Sequence, residues 1–423
     1  MTTTDLAPLE DEVRWFLTAG LPERAAIRRD PFPFFRRLRA ADPVHRSAQG
    51  PWLVTSYEAC NAMLRDERWE KARILRDVAA TTGAGDGPAE GALAERIFLG
   101  SLVFKNPPDH TRLRRIVAPA FSVRAVGDRR ERTRGIARRL LDDLRQRPSF
   151  DFRRDFASEL PVRLICELIG VAPEARQDFL SWADTVRELQ ELGDRPAEAL
   201  RLADRKAEDC RAFVADLVAE KRKAPGDDLV SLLIEASDAD EAPLSPDELT
   251  AMLIILHVGG HSTTTDVIAT GCFHLLTNPD AYRRLRQDPD LVGSAVEEML
   301  RFDTAVTVAT PRAAAVDVAL GDRTIPAGEV VYAVVAAANH DPDQFDQPDR
   351  FDVERRDNRH LSFAAGRHFC LGAHLGRQEA VEAFRLLAGE HPELELATDP
   401  ATVEWQDSLP HRGLQALPVA WRR

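Results

Sequence analysis

The sequence predicts a mainly α-helical protein of the α+β class, and three observations predict it. Residues 129–235 carry apolar side chains at helical spacing, interrupted only by short breaks that contain glycine and proline. Residues 246–277 form a further helical stretch of about 32 residues, with proline only at its first position. Extended segments are short by comparison, as around Trp52 and in residues 316–337. We therefore expect helices to form the core, with small β-sheets beside them.

Composition and charge exclude several classes of function. With 44% hydrophobic and 30% charged residues, the chain of 423 residues can bury a large core, and we find no repeat or linker that would divide it, so we expect one domain over residues 1–423. The net charge of −13 argues against nucleic acid as a partner. Residues 1–20 have no apolar core and no run of about 18 apolar residues occurs, so we expect neither a signal peptide nor a membrane anchor. Five scattered cysteines favour reduced thiols, and hence the cytoplasm.

Short elements and one long loop make up the first part of the chain. We expect a helix over residues 31–40, a strand at 52–55 and a helix from 57 to about 65. Residues 79–91 are rich in glycine and alanine and show no periodicity. A loop of that length in a globular protein is usually functional or disordered.

A basic helix follows this loop. Pro107 and Pro108 start it, and it runs to about Phe121. His110 and Arg114 are four residues apart, so they share one face of the helix. They could hold an anion together, or they could simply face solvent.

The long helix starts with a strong capping signal and contains an unfavourable pair of glycines. Ser245 and Glu248 form a capping box around Pro246. Gly259 and Gly260 in its middle cost together roughly 2 kcal/mol relative to alanine. Small residues there would let a flat ligand lie against the helix, and Thr263 could hydrogen-bond a backbone carbonyl and open a groove for water. Close contact with another helix is the alternative.

A helix, a strand and hairpins follow. Glu298 and Arg301 are three residues apart on a helix from 294 to 302, a spacing that usually gives a surface ion pair. We expect a strand over residues 304–312. Hairpins should fill residues 316–337, turning at Gly321–Asp322 and at 326–328.

The most informative stretch is residues 363–372, where one cysteine meets the start of a helix. Cys370 begins a proline-free helical pattern that runs to Leu387, so free backbone N–H groups and the helix dipole should favour the thiolate. Gly366 and Gly372 remove side chains where the chain turns or a flat partner approaches, and Arg367 and His368 add positive charge. A rigidly held thiolate beneath a flat surface suits a haem iron.

Three other interpretations of Cys370 have to be weighed. A cysteine at a helix start is most often a small buried residue. Cys370 could join His368 and His374 in a zinc cluster, but no second pair of Cys or His residues has finger-like spacing. A Cys–His nucleophile pair would need a third, orienting group that the sequence does not identify.

The pattern Phe-x-x-Gly-x-His-x-Cys-Leu-Gly at 363–372 resembles the haem-binding loop of cytochrome P450, specifically the soluble bacterial type. Ala364 departs from it, because the family usually has Ser, Gly, Asn or His there. The resemblance covers nearly the whole chain and implies a helical domain with small β-sheets, in which haem b lies between the long central helix and the helix of the cysteine loop. Cys370 would be the proximal iron ligand, and the other haem-binding residues of this loop would be Phe363, Gly366, His368 and Gly372.

Further motifs match the family in order and spacing. His110 and Arg114, with Arg312, match residues that hold the haem propionates, whose carboxylates need charge-assisted partners. The long helix resembles the oxygen-activation motif Ala-Gly-x-Asp/Glu-Thr-Thr, and Ser262 replaces its acid. The residues in register there are Gly259, Gly260, His261, Ser262, Thr263 and Thr264.

The resemblance also implies a brace and a substrate pocket. Glu298 and Arg301 match the family's Glu-x-x-Arg, which locks to a third arginine and braces the cysteine loop. Arg350 is the expected third arginine, and Arg355 is the alternative. The implied pocket residues are Val306, Val308, Ala309 and Leu409, with the loops at 79–91 and around 180–196 folding over them.

A monooxygenase is the expected function. It would oxidise a small organic metabolite with electrons that pass from NAD(P)H through a ferredoxin reductase and a ferredoxin, because no reductase domain follows within the 423 residues. Arg112, Arg115 and Arg377 are candidates for the docking face of the ferredoxin. Oxidative coupling, ring closure or peroxide-driven chemistry is the alternative, because Ser262 lacks an acidic group. A haem sensor or carrier is a more distant one.

Overall fold

Helices dominate the described chain, as predicted. The computed structural model describes residues 7–18, 21–71, 92–178, 181–182, 197–239, 242–391 and 394–422. The loop expected at 79–91 and most of the one expected around 180–196 lie outside these residues. The helices are α1 Ala7–Leu17, α2 Pro22–Arg29, α3 Phe32–Ala41, α4 Tyr57–Arg65, α5 Ala92–Gly100, α6 Asp109–Val117, α7 Val123–Gly127, α8 Arg130–Leu144, α9 Glu159–Ile169, α10 Ala197–Lys223, α11 Leu229–Asp238, α12 Pro246–Thr277, α13 Pro279–Gln287, α14 Val292–Phe302, α15 Val335–Ala338 and α16 Ala373–Glu390.

The strands are short. They are β1 Val44–Arg46, β2 Trp52–Val54, β3 Trp69–Glu70, β4 Ser149–Asp151, β5 Arg312–Ala314, β6 Val318–Leu320, β7 Arg323–Ile325, β8 Val330–Ala333, β9 Leu394–Leu396 and β10 Pro418–Trp421. They form a five-stranded sheet of order β1-β2-β8-β5-β3, a three-stranded sheet of order β4-β10-β9 and the hairpin β6-β7.

The chain divides into two units, each assembled from separated segments. The first consists of Met1–Glu70, Arg130–Leu160 and Thr263–Arg423, and the second of Lys71–Arg129 and Pro161–Ser262. The expected single domain over residues 1–423 stays a prediction. Among the described helices, none combines the length and the apolar character needed to cross a membrane.

The five-stranded sheet and the N-terminal helices organise the first unit. One apolar cluster joins strand residues such as Trp69 and Val331 to Met63 and Leu64 at the end of α4, and to Leu361 and Ala365 ahead of the cysteine. The other joins Phe16, Phe34 and Phe35 of the N-terminal helices to Val334. Leu361 and Ala365, at the start of the cysteine loop, thus pack in the same apolar cluster as the five-stranded sheet.

Helices alone build the described part of the second unit. Asp204 on α10 caps the start of α5, because its carboxylate accepts hydrogen bonds from the backbone N–H groups of Leu93 and Ala94, both at 3.0 Å. The capping box predicted for α12 is present: Ser245 Oγ accepts from the Glu248 N–H at 3.1 Å, and a Glu248 carboxylate oxygen accepts from the Ser245 N–H at 2.9 Å.

Two expectations about strands were wrong. Residues 304–311 are not a strand. In this segment Val306 makes one isolated bridge, to His411, and strand pairing starts only at Arg312. The turn at 326–328 does not close a hairpin either. Strand β8 leaves that turn to pair with β2 and β5, so β7 pairs only with β6.

Candidate functional site

Cys370 lies at the C-terminal end of a tightly folded loop in the first unit. It is exposed, whereas the other four cysteines are buried. Its N–H donates to the Phe363 carbonyl oxygen at 2.9 Å, which closes the loop, and residues Gly366–His368 between them form a single 3₁₀ turn. Helix α16 begins at Ala373 with Gly372 as its N-cap, so Cys370 precedes the helix by two positions more than predicted. The reason is that residues 370–372 continue the backbone of the closed loop and do not yet have helical conformation.

Gly366 is required by this loop and Gly372 is not. Gly366 has a φ of +70°, and a Cβ there would lie 2.6 Å from the Leu64 carbonyl oxygen at the end of α4. A Cβ on Gly372 would meet no described atom within 4 Å. Ala364, the departure from the family pattern, also has a positive φ, +55°, where a side chain costs about 1–2 kcal/mol. The loop is therefore strained and held by its surroundings.

The predicted brace is present, with a different third arginine. Glu298 and Arg301 are fully buried and joined by two hydrogen bonds of 2.8 Å. Arg355, not Arg350, completes the cluster, with its Nε 3.0 Å from a Glu298 carboxylate oxygen. The Arg350 side chain is 64% exposed and lies near Asp352, because the chain turns it outward; only its backbone carbonyl accepts from Arg301 and Arg355.

The brace reaches the cysteine loop through one asparagine. Arg301 Nη1 donates to the Asn339 carbonyl oxygen at 2.8 Å. The Asn339 side chain in turn donates to Ser362 Oγ at 2.9 Å and accepts from the Leu361 N–H at 2.8 Å. Ser362 Oγ donates to the Leu300 carbonyl oxygen at 2.6 Å. The start of the loop is therefore hydrogen-bonded directly to α14 through Ser362 and indirectly, through Asn339, to the buried arginine.

Sequence reasoning missed a second charged link. Glu297, beside Glu298, holds Arg377 of α16 at 2.6 and 2.9 Å and His360 at 3.2 Å. Burial alone would raise the pKa of the Glu297 carboxyl, but the hydrogen bonds from His360 and Arg377 outweigh it and lower that pKa to about 2. Arg377 also lies over the Phe363 ring, with Cζ 4.3 Å from the ring centre. Since Glu297 neutralises it, Arg377 is a poor candidate for a docking face.

Arg312 is a buried cation near the loop. It is 3% exposed, and its Nη1 donates to the carbonyl oxygens of Met63 and Leu64, each at 3.1 Å. Burial, followed by repulsion from Arg367, lowers the pKa of the guanidinium to about 10. Its Nε has no hydrogen-bond partner among the described residues. A carboxylate would supply both the charge and the acceptor, so the site fits a haem propionate.

In the middle of α12, the two glycines of the predicted groove have different surroundings. A Cβ on Gly260 would lie 3.1 Å from Ile165 Cδ1, so this glycine permits close contact with α9, which was the simpler alternative. A Cβ on Gly259 would have no described atom within 4 Å. Ser262 Oγ donates to the Val258 carbonyl oxygen at 2.8 Å. Ser262 thus makes the kind of side-chain bond to a carbonyl oxygen that was expected for Thr263, whereas the bond of Thr263 itself stays a prediction.

The remaining predicted site residues, which comprise haem-binding residues and Thr264 of the oxygen-activation motif, are divided between the two units. His368 is half-buried in the 3₁₀ turn of the first unit, and Thr264 is buried, with its Oγ1 3.6 Å from where a Cβ on Gly376 would lie. In the second unit, His110 is buried on α6 and Arg114 is half-buried one turn further on. Arg112 on this helix is paired with Glu248, while Arg115 is exposed. Of the three docking candidates, only Arg115 keeps an exposed side chain.

The predicted pocket residues are mostly core. Val308 and Leu409 are 3% and 2% exposed and pack with the N-terminal phenylalanines, so neither leaves surface for a substrate, and Ala309 packs in the sheet cluster. Only Val306 is partly exposed. A cavity within the second unit went unpredicted; it is lined by Ala94, Ile97, Trp182, Ala203, Lys206, Ala207, Cys210 and Ile254.

A metal cluster built by side chains is not found in the part of the chain that the structure describes. No group of three or more His, Cys, Asp or Glu side chains there is arranged to hold an ion. The zinc alternative for His368, Cys370 and His374 therefore has no structural support among these residues.

Comparison with known proteins identifies the family. The family model "Cytochrome P450" matches residues 92–386. Vitamin D(3) 25-hydroxylase of Pseudonocardia autotrophica is 39% identical over 393 residues, 92% of this chain and 93% of that protein. Cytochrome P450 monooxygenase PikC of Streptomyces venezuelae is 38% identical over 400 residues, 93% of this chain and 92% of that protein. Among solved structures, P450BioI in complex with an acyl-carrier-protein-linked hexadec-9Z-enoic acid has a TM-score of 0.86 at 30% identity and covers 94% of this chain and 99% of its own. The chain therefore belongs to the cytochrome P450 family.

Proposed function

We propose that the protein is a haem-thiolate monooxygenase that oxidises a small organic metabolite, with Cys370 as the iron ligand. The observation that carries the proposal is the cysteine loop: Cys370 is the one exposed cysteine of the five, and its loop is fixed by Gly366 against α4 and by Asn339 against α14. A sulfur that only filled a core position would be buried like the other four. Haem b held by a thiolate supplies oxygen activation.

The chain's own residues would hold the haem at its charged edge and carry protons. Arg312 offers an unused buried donor, and His368, His110 and Arg114 are the further proposed ligands. The Ser262 hydroxyl donates a hydrogen bond to the Val258 carbonyl oxygen, so its proton is directed into the helix and it is a weak proton donor; Thr263 with ordered water is the remaining path. Thr264 lies against α16 at Gly376.

Relatives support the substrate class. They include proteins named 6-deoxyerythronolide B hydroxylase, mycinamicin IV hydroxylase/epoxidase and nocardicin C N-oxygenase, which are 37%, 38% and 35% identical to this chain. We infer for this protein an organic metabolite of the kind that these names describe, and a role in bacterial secondary metabolism. Electrons would come from NAD(P)H through a ferredoxin reductase and a ferredoxin, in the cytoplasm, as the family resemblance implies.

Oxidative coupling is the second candidate, and two observations favour it. Ser262 stands where the family has an acid, and a solved structure described as an enzyme for C–S bond formation, CxnD, is 33% identical to this chain with a TM-score of 0.83. In such chemistry the substrate can supply its own protons.

The decisive experiment is spectroscopic. Purified protein should contain haem, and its reduced carbonyl complex should show the strongly red-shifted Soret band of a thiolate ligand. Cys370→Ala should lose that band, and Cys210→Ala, at a buried cysteine, should keep it. A red-shifted band in Cys370→Ala would overturn the assignment.

Turnover then separates an enzyme from a sensor or carrier. A library of macrolide-sized and smaller metabolites is screened for a spin-state shift, and hits are incubated with NADPH and a surrogate ferredoxin system. Substrate-dependent NADPH consumption with an oxygenated product supports the monooxygenase. A dehydrogenated or cyclised product supports coupling, and binding without consumption supports a carrier.

A further inference from the structure

Two neighbouring strands place an indole and a guanidinium on one face of the five-stranded sheet. Strands β3 and β5 are antiparallel, with Trp69 opposite Ala314 and Glu70 opposite Ala313. Because side chains alternate along a strand, Arg312 and Ala314 point to the same face as Trp69. Trp69 and Arg312 are therefore diagonal neighbours, a separation that long and aromatic side chains span.

Both side chains bury a hydrogen-bond donor that has no acceptor in the described part of the chain. Trp69 is 3% exposed, and its Nε1 has no hydrogen-bond partner among the described residues; the same holds for Nε of Arg312. Buried indole N–H groups usually find a partner, and two orphaned donors on one face are unusual in a native protein. The pair therefore indicates an acceptor that the described residues do not supply.

The surroundings define the chemistry of that acceptor. An indole N–H and a guanidinium can only donate, so the partner must offer oxygen atoms, and the charge of Arg312 asks for an anion. Asp66 is the carboxylate whose negative charge acts on Arg312, but it already binds Arg68, at distances of 2.6 to 3.1 Å. Arg367 adds a second positive charge beside Arg312. A carboxylate with two oxygens matches this arrangement.

The position of Trp69 connects this donor pair to the cysteine loop. Trp69 packs in one apolar cluster with Met63 and Leu64, whose carbonyl groups hold Arg312, and with Leu361 and Ala365, which lie just ahead of Cys370. The cluster therefore fixes the indole beside the segment that carries the proposed iron ligand.

We propose that Trp69 Nε1 and Arg312 Nε bind one carboxylate together, and that this carboxylate is a haem propionate. The proposal rests on the proposed function, since it needs haem, and it adds Trp69 as a cofactor-binding residue. One carboxylate would give both donors an acceptor, so these two buried N–H groups would be hydrogen-bonded once the cofactor is in place.

The test uses the haem-containing protein and a matched pair of substitutions. Trp69→Phe removes the donor but keeps an aromatic ring, and Trp52→Phe does the same on β2, where the indole donates to the Glu329 carboxylate instead. The readouts are the rate of haem transfer to excess apomyoglobin, the propionate bands in the resonance Raman spectrum, and the thermal midpoint of helix circular dichroism.

Trp69→Phe should speed haem loss about tenfold, as for one hydrogen bond to a charged group, and shift a propionate band. Trp52→Phe should lower the thermal midpoint and leave haem loss and the propionate bands unchanged.

A double-mutant cycle checks that both donors share one carboxylate. If they do, Trp69→Phe and Arg312→Gln together should speed haem loss by a factor that differs from the product of their separate factors. Wild-type haem loss and an unshifted band in Trp69→Phe would overturn the proposal, and so would faster haem loss that only accompanies a lower thermal midpoint. A protein that binds no haem would overturn the proposed function instead.

Discussion

Glu379 on α16 is a buried acid whose Oε2 has no hydrogen-bond partner among the described residues. Burial raises the pKa of its carboxyl well above the usual range, because it favours the neutral form of the group in the folded protein. In the unfolded chain it ionises near its ordinary pKa. The contribution of this carboxyl to the free energy of unfolding is therefore highest below its unfolded pKa, and it falls as pH rises toward the folded pKa. At neutral pH this residue weakens the fold.

Replacing Glu379 by methionine should stabilise the protein at neutral pH. Methionine keeps a similar length and removes a buried polar group, which costs on the order of 1–3 kcal/mol when unsatisfied. The thermal midpoint of Glu379→Met should exceed that of wild type at pH 7, and the gain should shrink as the pH is lowered toward 4. A lower midpoint at both pH values would show that the carboxyl has a partner in the native protein.

The two glycines of the cysteine loop should respond differently to alanine. Gly366→Ala places a Cβ against the Leu64 carbonyl oxygen and forces a left-handed backbone on a side chain, so it should cost at least about 2 kcal/mol. Gly372→Ala has an ordinary φ of −83° and no described neighbour within 4 Å. Thermal midpoints of the two variants measure the difference. Equal midpoints would mean that the loop relaxes away from α4.

At the scale of elements, α14 and the segments around it are joined by a buried charge cluster. Glu298 accepts hydrogen bonds from Arg301, Arg355, Asn358 and the Asp352 N–H, so its two oxygens are fully used. Arg301 in turn holds the carbonyl groups of Asn339 and Pro348. Removing one partner would leave a buried charge uncompensated, which is far more costly than losing a surface pair.

Arg301→Ala should therefore lose about 3–5 kcal/mol of stability and most of the haem. Arg350→Ala is the control, because its exposed side chain lies outside the cluster and should cost less than about 1 kcal/mol. Haem content and thermal midpoint are measured for both. Wild-type values in Arg301→Ala, or a large loss in Arg350→Ala, would contradict the arrangement in the structure.

The long helix α12 carries the prediction about protons. Ser262→Asp introduces an acid into the motif and should raise the product formed per NADPH consumed, whereas Thr263→Ala should lower it and release more peroxide. Ser262→Ala is the control; since the serine hydroxyl is bonded to Val258 within the helix, its loss should change little. If Ser262→Asp reduced turnover in an enzyme that already couples tightly, oxidative coupling would become the better proposal.

At the scale of the whole molecule, an ionised carboxylate that is only partly buried links separate segments of this acidic chain. Glu297 joins α14 to α16 through Arg377 and to the segment before the cysteine loop through His360. Its folded pKa of about 2 lies below its unfolded pKa, so its contribution is present at neutral pH and is lost as pH falls from about 4.5 to about 2.

Glu297→Gln should remove this link. The depressed pKa corresponds to about 3 kcal/mol at neutral pH, an upper figure because part of the side chain is exposed. Urea unfolding of wild type and variant should differ most near pH 7, and the curves should converge as the pH approaches 2. A constant difference across this range would mean that the hydrogen bonds, and not the charge, hold the link.

Local patterns were sufficient for several elements. The capping box at Ser245 predicted the start of α12 because both partners lie within one turn, and the turn at Gly321–Asp322 predicted the β6-β7 hairpin for the same reason. The cysteine loop could be found because its glycines, histidine and cysteine have a fixed spacing in the sequence. The strand expected at 304–311 was wrong, since pairing depends on partners far along the chain.

The sequence by itself determined the family, the helical class and the cysteine that the site is built on, because these follow from spacing within short segments. Only the tertiary structure decided which arginine completes the brace: Arg350 and Arg355 are five residues apart in the same segment, and a turn at Gln347, with φ +44°, exposes the first and returns the second to Glu298. The same holds for Trp69, which is ordinary in the sequence and meets Arg312 only through strand pairing. Contacts between distant segments depend on the path of the backbone in space, and no local pattern of residue types specifies that path.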